Sequence, residues 1–366
     1  MFEERAYQTE AAAWLASRRR GIVQIPAGGG KSRMAAMALD MVLKKKQRIE
    51  KVKIGWLAPS IETRDQGIAA MIQFPLVAEQ DIKASCVFPG VDFSDRDILI
   101  VDECKHATAP VWCSIVNQCQ NRWGLDATPF FNDEERDTAL LALFDNQIHT
   151  VERRVLSDKL SPARVQFLDA TDDGLRPKID ADITATMQWR RRFWSGDEGQ
   201  LWGQVAWQSI IKLGIVNNAA RNRAAVAAAL RHSEPTLILV NQVEHALWFA
   251  EQLPGAVACY AKMGKKRREQ AMADFKAGKV RRLVATSLAD EGLDLPQAAV
   301  LVLVSAGKSE TKTVQRTGRV LRRHEGKGDA IIYDFVDEYH PLAAKHSRRR
   351  RDIYLGLGYK INLALK

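Results

Sequence analysis

The fold class this chain predicts is α/β, in the form of two tandem doubly wound parallel-sheet domains. Three observations carry that expectation. Short apolar runs alternate with helix-forming runs from residue 21 to about 155, and again from residue 236 onward. A glycine loop, Ala27-Gly28-Gly29-Gly30-Lys31-Ser32, lies between an apolar run and a helical one. An acidic pair, Asp102-Glu103, closes the apolar run Ile98-Leu99-Ile100-Val101. The length of 366 residues, at roughly 150 per domain, gives two to three domains, each with room for its own core.

The first domain is expected over residues 1–155. Gly21 to Pro26 reads as a strand and Ser32 to Leu39 as a helix. Strand, glycine loop and helix form the context in which curled backbone N–H groups and a helix amino end converge on a phosphate. Lys31 would then reach the β- and γ-phosphates of a nucleotide, and Ser32 would place its hydroxyl on Mg²⁺. The strict GxxxxGK[ST] pattern fails at its first position, which is Ile25. Further strands are expected at Val52 to Ala58, Ile98 to Val101 and Arg122 to Leu125. Acids at the carboxyl end of a buried strand can hold a Mg²⁺-bound water and activate an attacking one, so Asp102 and Glu103 are candidate catalytic residues. Motifs of both kinds, in that order, point to nucleoside triphosphate hydrolysis.

Residues 156–230 read as a connector and the start of the second domain, with a polar, irregular stretch from about 169 to 200. The second domain, 231–366, is expected to hold strands at Thr236 to Val240, Arg282 to Thr286, Val300 to Val304 and Ala330 to Asp334. Helical runs fall at Val243 to Leu253 and Arg267 to Phe275, and a basic tail follows. This half has no phosphate loop of its own. It carries Gln315-Arg316-Thr317-Gly318-Arg319-Val320-Leu321-Arg322 on a predicted helix, where Arg319 and Arg322 share a face. Two guanidiniums so placed can grip a γ-phosphate, or they can belong to a solvated basic helix.

Net charge is +10 and the isoelectric point lies near 9.4, which points to an anionic partner, with nucleic acid the first candidate. No run approaches the ~18 apolar residues of a membrane span, and the first residues lack a signal-type apolar segment, so a cytoplasmic protein is expected. The five cysteines show no C-x-x-C pairing and read as reduced thiols; the histidines show no metal-ligand spacing. Trp189, Trp194, Trp202 and Trp207 cluster around Arg190-Arg191-Arg192, as a stacking platform for bases or, favoured, as pins holding a linker helix. Arg348-Arg349-Arg350-Arg351 is a candidate contact for backbone phosphates, with a solvated face as the alternative. No sequence-reading module is apparent, so binding would follow structure rather than base sequence.

In the order of these motifs the chain resembles superfamily 2 helicases, specifically the DExH group of phage recombination and repair helicases. Arg5-Ala6-Tyr7-Gln8 is similar to the segment before the phosphate loop, which implies adenine recognition by Arg5 and Gln8. Pro26 to Ser32 resembles motif I, with Ala27, Gly28, Gly29 and Gly30 around the phosphates. Leu57-Ala58-Pro59-Ser60 with Gln66 resembles motif Ia, implying strand contacts at Pro59 and Ser60. Asp102 to His106 resembles motif II, Leu125 to Pro129 motif III, and Leu237 to Asn241 motif IV. Val284 to Asp294 resembles motif V, which implies a strand contact at Thr286 and nucleotide contacts at Gly292 and Asp294. Gln315 to Arg322 resembles motif VI, with Gln315, Arg319 and Arg322 in catalytic positions.

The resemblance covers nearly the whole chain. It implies RecA-like domains, ATP and Mg²⁺ as cofactors, and a nucleotide completed by the second domain's arginines when the lobes close. The implied partner is nucleic acid, DNA favoured over RNA, bound by a monomer with replication or recombination proteins as further candidates. Three departures stand out: Ala27 where the family has Thr, Lys105 where it has His, and no threonine-bearing motif Ib between Gln66 and Asp102. Lys105 could add charge near the γ-phosphate or face solvent. The expected activity is ATP-dependent unwinding or translocation. The alternative is an ATP-regulated binding switch or an annealing or remodelling factor. A restriction-motor subunit is weaker, because no nuclease constellation is present.

Overall fold

A computed structural model describes residues 5–26, 28–45, 51–131, 133–152, 155, 161–170, 172, 174–286, 295–305, 307, 309–321, 324 and 327–365. The chain falls into two compact units, Met1–Asp158 and Lys159–Lys366.

The first unit runs α1 (Ala6–Ala16), β1 (Arg20–Gln24), α2 (Lys31–Lys45), β2 (Lys53–Ala58), α3 (Ile61–Met71) and α4 (Pro75–Ala78). It continues through β3 (Asp81–Cys86), β4 (Ile98–Asp102), α5 (Pro110–Val116), β5 (Arg122–Asp126), α6 (Glu134–Leu143) and β6 (Ile148–Thr150). Its six strands lie in the order β3-β2-β4-β5-β1-β6, every pair parallel. β4 is buried at every position, as expected of a strand covered by helices on both faces. Its Leu99 and Val101, with Leu57 of β2 and Ile22 of β1, pack with Phe93, Ile115, Val116 and Phe144 in one core. The sequence-expected strands at 52–58, 98–101 and 122–125 are present; the short β6 and the edge strand β3 carry too little apolar pattern to be read in advance.

The second unit begins with β7 (Ala163–Asp169), α7 (Leu175–Arg190), α8 (Glu198–Ser209), a π-helical turn (Ile210–Val216) and α9 (Ala219–Leu230). It continues with β8 (Thr236–Leu239), α10 (Val243–Gln252), β9 (Ala256–Cys259), α11 (Lys265–Lys276) and β10 (Arg282–Ala285). β11 (Val300–Leu303), α12 (Glu310–Leu321), β12 (Ala330–Val336), α13 (Pro341–Gly356) and β13 (Lys360–Leu365) complete it. The sheet order is β13-β7-β12-β11-β8-β10-β9, again all parallel. β8 and β11 are adjacent, yet β8 leads on to β9 at one side of the sheet and β11 to β12 at the other. The chain therefore parts at their carboxyl ends, the arrangement that opens a crevice in a doubly wound sheet.

The stretch expected to be irregular from 169 to 200 is instead largely helical. In α7, Leu175, Ile179, Ile183 and Met187 recur one per turn and are buried, a stripe narrow enough to be hidden among polar neighbours. They pack on Leu201, Val205 and Ala206 of α8 and on Tyr339 and Ala343. The favoured reading of the tryptophan cluster as pins fails for most of its members. Trp189 is 61% exposed and Phe193 77%, and Trp194 and Trp202 are exposed as well. Trp207 alone is packed, its ring 4.4 Å from that of His346. Among the described residues no helix is long and apolar enough to cross a membrane.

Candidate active site

In the first unit the carboxyl ends of β1, β4 and β5 bring three sequence motifs together. After β1 the chain turns through Gly28 and Gly30, at φ 84° and 81°, backbone angles that glycine adopts without steric cost. A Cβ at Gly30 would also lie 2.4 Å from Gln8 Nε2. That amide donates to the Gly29 carbonyl at 2.8 Å, and the Tyr7 hydroxyl donates to the same oxygen at 2.9 Å. Arg5 Nη1 in turn donates to the Tyr7 hydroxyl oxygen at 2.9 Å. Arg5, Tyr7 and Gln8 thus brace the phosphate loop from α1. Nothing local in the sequence marks the Tyr7 hydroxyl, which bonds 22 residues away.

Lys31 opens α2, and its ammonium lies 3.8 Å from Asp102 Oδ1. Burial works against the Lys31 charge, but Asp102, Asp126 and Glu103 outweigh it and hold the pKa above the ordinary lysine value. Asp102 is pushed the other way: burial, joined by the nearby Asp126 charge, raises its pKa despite Lys31. The lysine is therefore firmly cationic in a pocket of excess negative charge. Ser32 follows Lys31 in the first turn of α2. A serine hydroxyl and a carboxylate are hard oxygen donors that suit Mg²⁺, which keeps waters and phosphate oxygens for its remaining positions. Among the described residues no three His, Cys, Asp or Glu side chains converge as an all-protein metal cage.

Glu103 adopts φ 52° and ψ 52°, a left-handed conformation costing a non-glycine residue about 1 kcal/mol or more. Its N–H donates to Asp102 Oδ1 at 3.1 Å, and its carboxylate lies 4.0 Å from His106 Nε2. Asp126, the last residue of β5, is a further site residue, marked by the same acid-after-apolar-strand signal as Asp102. It is buried and accepts from the Lys105 N–H at 3.0 Å and from the Thr128 N–H at 2.9 Å. The Ile25 N–H donates to its carbonyl at 2.9 Å, so Asp126 joins motifs I, II and III.

Lys105 follows neither expectation. Its Nζ donates to the carbonyls of Thr128 at 3.1 Å and Phe130 at 2.7 Å, and lies 4.5 Å from the Phe131 ring. It ties motif II to the segment after motif III, where the resemblance puts a histidine.

Pro59 and Ser60 sit just beyond β2. Ser60 caps α3, its hydroxyl accepting from the Thr63 N–H at 3.3 Å. In the second unit Thr286 follows β10 and is buried, with its N–H on the Cys259 carbonyl at 3.2 Å. Gln315 and Arg319 lie on α12, though their side chains fall outside the described residues. Ala27, Gly292, Asp294 and Arg322 also lie outside them.

The arginine run needs a correction. It is not a tail but part of α13, and Arg350 is buried. Its guanidinium donates to both oxygens of Asp334 at 2.9 Å and to Asp337 Oδ2 at 3.2 Å. Arg221 pairs with Asp337 from the other side. Arg350 is thereby unavailable to a phosphate, whereas Arg348, Arg349 and Arg351 are exposed.

Residues 221–324 match the family described as Helicase conserved C-terminal domain. A viral protein named as a helicase, from Sulfolobus islandicus filamentous virus, is 23% identical over 95% of this chain and 66% of its own length. The DNA 3'-5' translocase XPB2 of Sulfurisphaera tokodaii is 23% identical over 96% of this chain and 85% of its own. The DNA 3'-5' helicase XPB of Kineococcus radiotolerans is 23% identical over 91% and 59%. The chain thus spans about two thirds or less of two of these relatives. An S. cerevisiae Dbp5 structure bound to RNA and ADP–BeF3 shares the fold, with a TM-score of 0.61 at 14% identity over 99% of this chain and 90% of that one. The two parallel sheets share the tandem RecA-like fold, residues 221–324 match a helicase C-terminal domain, and the chain is similar along nearly its whole length to superfamily 2 helicases.

Proposed function

We propose that this chain is an ATP-driven motor that moves along DNA and displaces a paired strand, acting as a monomer and selecting branched or partly single-stranded structure rather than base sequence. The observation that carries the reading is the junction of Lys31, Asp102 and Asp126, which joins the nucleotide loop to motifs II and III. DNA is favoured over RNA because two relatives are named for DNA translocation or unwinding.

In this reading Arg5 and Gln8 serve the adenine side of the site, while Ala27, Gly28, Gly29, Gly30 and Lys31 bind the phosphates. Ser32 and Asp102 would hold Mg²⁺, which supplies charge neutralisation at the phosphates when bound. Glu103 orients or deprotonates the attacking water. Arg319 and Arg322, with Gln315, stabilise charge on the transferring phosphoryl group, and Gly292 and Asp294 contact the nucleotide. Pro59, Ser60 and Thr286 touch the strand, with Arg348, Arg349 and Arg351 adding backbone phosphate contacts.

The Lys105 tether favours a second reading, a clamp whose ATPase regulates binding without unwinding. Strand displacement on forked, blunt, Holliday-junction and RNA–DNA hybrid substrates separates them. The motor reading expects ATP-dependent displacement of forked DNA that is lost in Lys31→Ala. Strand-stimulated hydrolysis without displacement of any substrate supports the clamp, and hydrolysis that ignores every strand overturns both.

A further inference from the structure

Two aromatic side chains, at and just beyond the end of α7, point away from the core that the rest of the helix helps to build. The buried stripe of that helix is Leu175, Ile179, Ile183 and Met187. Trp189 lies two residues past the stripe, about 200° further round the helix, so the phase that buries Met187 turns Trp189 outward. Phe193 follows one turn later, in the 3-10 turn Arg191–Phe193, and the two rings meet with centroids 5.5 Å apart. Trp194 comes next and is anchored. Its Nε1 donates to the Asp197 carbonyl at 3.1 Å, and a Cβ at Gly196 would lie 3.1 Å from its ring. The Asp197 carboxylate accepts from the Gln200 N–H at 2.7 Å and so caps α8. Trp194 is thereby held against the turn that joins α7 to α8.

Between these rings stand Arg190, Arg191 and Arg192, with no acid from Gln188 to Ser195. Arg191 pairs with Glu198. The guanidiniums of Arg190 and Arg192 have no acidic or hydrogen-bonding partner among the described residues. The charge of the turn therefore calls for an anion from outside the chain. The rings limit its kind. An aromatic side chain covers about 150–250 Å², so at their exposure the three leave about 300–400 Å² of apolar surface. A lasting protein interface takes about 800 Å² from each side, roughly twice what these rings offer. An unpaired base needs only one ring, and its phosphate supplies the anion that the arginines lack.

We propose that the turn joining α7 to α8 is a stacking platform for single-stranded nucleic acid, with unpaired bases on Trp189 and Phe193 and their phosphates beside Arg190 and Arg192. The proposal rests on the nucleic-acid reading above and adds a contact that the strand residues named there do not include. Every base has a π-face, so the platform senses whether a base is unpaired and not which base it is. In a duplex those faces are already stacked on neighbouring pairs, and the rings have nothing to hold. The Trp194 anchor keeps the turn ordered before the strand arrives, so little freedom is lost on binding.

The test uses the full chain and fluorescein-labelled single-stranded DNA, read by anisotropy. Two further probes are the same strand with abasic spacers in place of its bases, and a blunt duplex. Because both rings are exposed, Trp189→Ala combined with Phe193→Ala should keep the wild-type urea midpoint. That double variant should bind the base-bearing strand about fivefold or more weakly, and the abasic strand and the duplex as the wild type does. Trp189→Phe should keep most of the affinity, whereas Trp189→Leu, apolar but without a flat face, should lose it. Arg190→Gln combined with Arg192→Gln should reduce the slope of log K against log salt by about 1.4, at roughly 0.7 for each phosphate contact. Wild-type affinity for the base-bearing strand in the double aromatic variant would overturn the platform and leave the rings to a protein partner. An equal loss on base-bearing and abasic strands would overturn stacking as the role of the rings. A wild-type protein that binds no strand at all would overturn the proposal together with the reading beneath it.

Discussion

The two sheets present the same edge with opposite furnishings. At the carboxyl ends of β1, β4 and β5 the first unit has a glycine loop at positive φ, a half-buried lysine and two buried carboxylates. At the carboxyl ends of β8 and β11 the second has a glycine-free connection after β8, an exposed tryptophan, amides and cations. A parallel sheet supplies a crevice wherever its connections part; the side chains lining it decide the chemistry. Backbone N–H groups converge on a triphosphate only where glycine permits the curl.

The sharpest way to break this contrast is to disable catalysis from each unit in turn. Lys31→Ala should lose ATP affinity and turnover together, because it removes the ammonium proposed to sit on the β- and γ-phosphates. Arg319→Ala should keep affinity and lose turnover by about 10³ or more, the loss expected of an arginine finger. Glu103→Gln should bind ATP and fail to turn it over. Steady-state ATPase with saturating strand, beside nucleotide binding by fluorescence, distinguishes the three. Robust hydrolysis by Arg319→Ala would remove the second unit from the reaction.

A comparable effect, on stability instead, is expected inside the arginine run. Arg350→Met leaves Asp334 and Asp337 buried beside one remaining guanidinium, and breaking such a network costs about 3–5 kcal/mol. Replacing Arg348, Arg349 and Arg351 by glutamine should change stability by less than about 0.5 kcal/mol. The same triple variant should flatten the salt dependence of strand binding. Urea unfolding and anisotropy across a salt series read the two outcomes.

A smaller effect follows pH. His245 is buried with Nε2 against Asn222 Oδ1 at 2.9 Å, and burial, with help from the Arg221 charge, lowers its pKa to about 4. The unfolded chain takes that proton near pH 6.5, so between pH 6.5 and 4 the unfolded state binds more protons than the folded one. Stability contributed by neutral His245 is therefore full above pH 6.5 and is lost as pH falls towards 4, by about 2–3 kcal/mol. Urea midpoints at pH 7 and 4.5 should show this decline, and His245→Gln should reduce it.

The smallest effect is expected at Lys105. Lys105→Met removes hydrogen bonds to the Thr128 and Phe130 carbonyls and should cost about 1–2 kcal/mol. If the tether links hydrolysis to strand binding, the variant should keep basal ATPase and lose most of its stimulation by a strand. Equal stimulation in both proteins would make Lys105 a structural brace alone.

Much of the first site was legible because its determinants are contiguous. Gly28 to Ser32 encode loop and helix start within five residues, and Asp102 terminates its own apolar run. Such signals survive in sequence because backbone conformation and strand periodicity are local properties. Asp126, closing its own apolar strand, carries the same local signal. Tyr7, Lys105 and Arg350 carried none. Their partners lie far along the chain, and a hydroxyl, an ammonium or a guanidinium does not announce which carbonyl or carboxylate will meet it.

The sequence by itself determined the alternation of strands and helices, the phosphate loop, the acids beside it and the order of motifs, since each is set by residues within one or two turns of one another. Tertiary structure decided which of four adjacent arginines is buried, because successive residues on a helix point about 100° apart and only Arg350 turns toward Asp334. It likewise decided that Trp207 packs while Trp189, Trp194 and Trp202 stay in contact with solvent, and that β8 and β11 part to leave a crevice. Burial and strand order depend on what comes to lie beside a segment, and that neighbour is chosen by the whole chain.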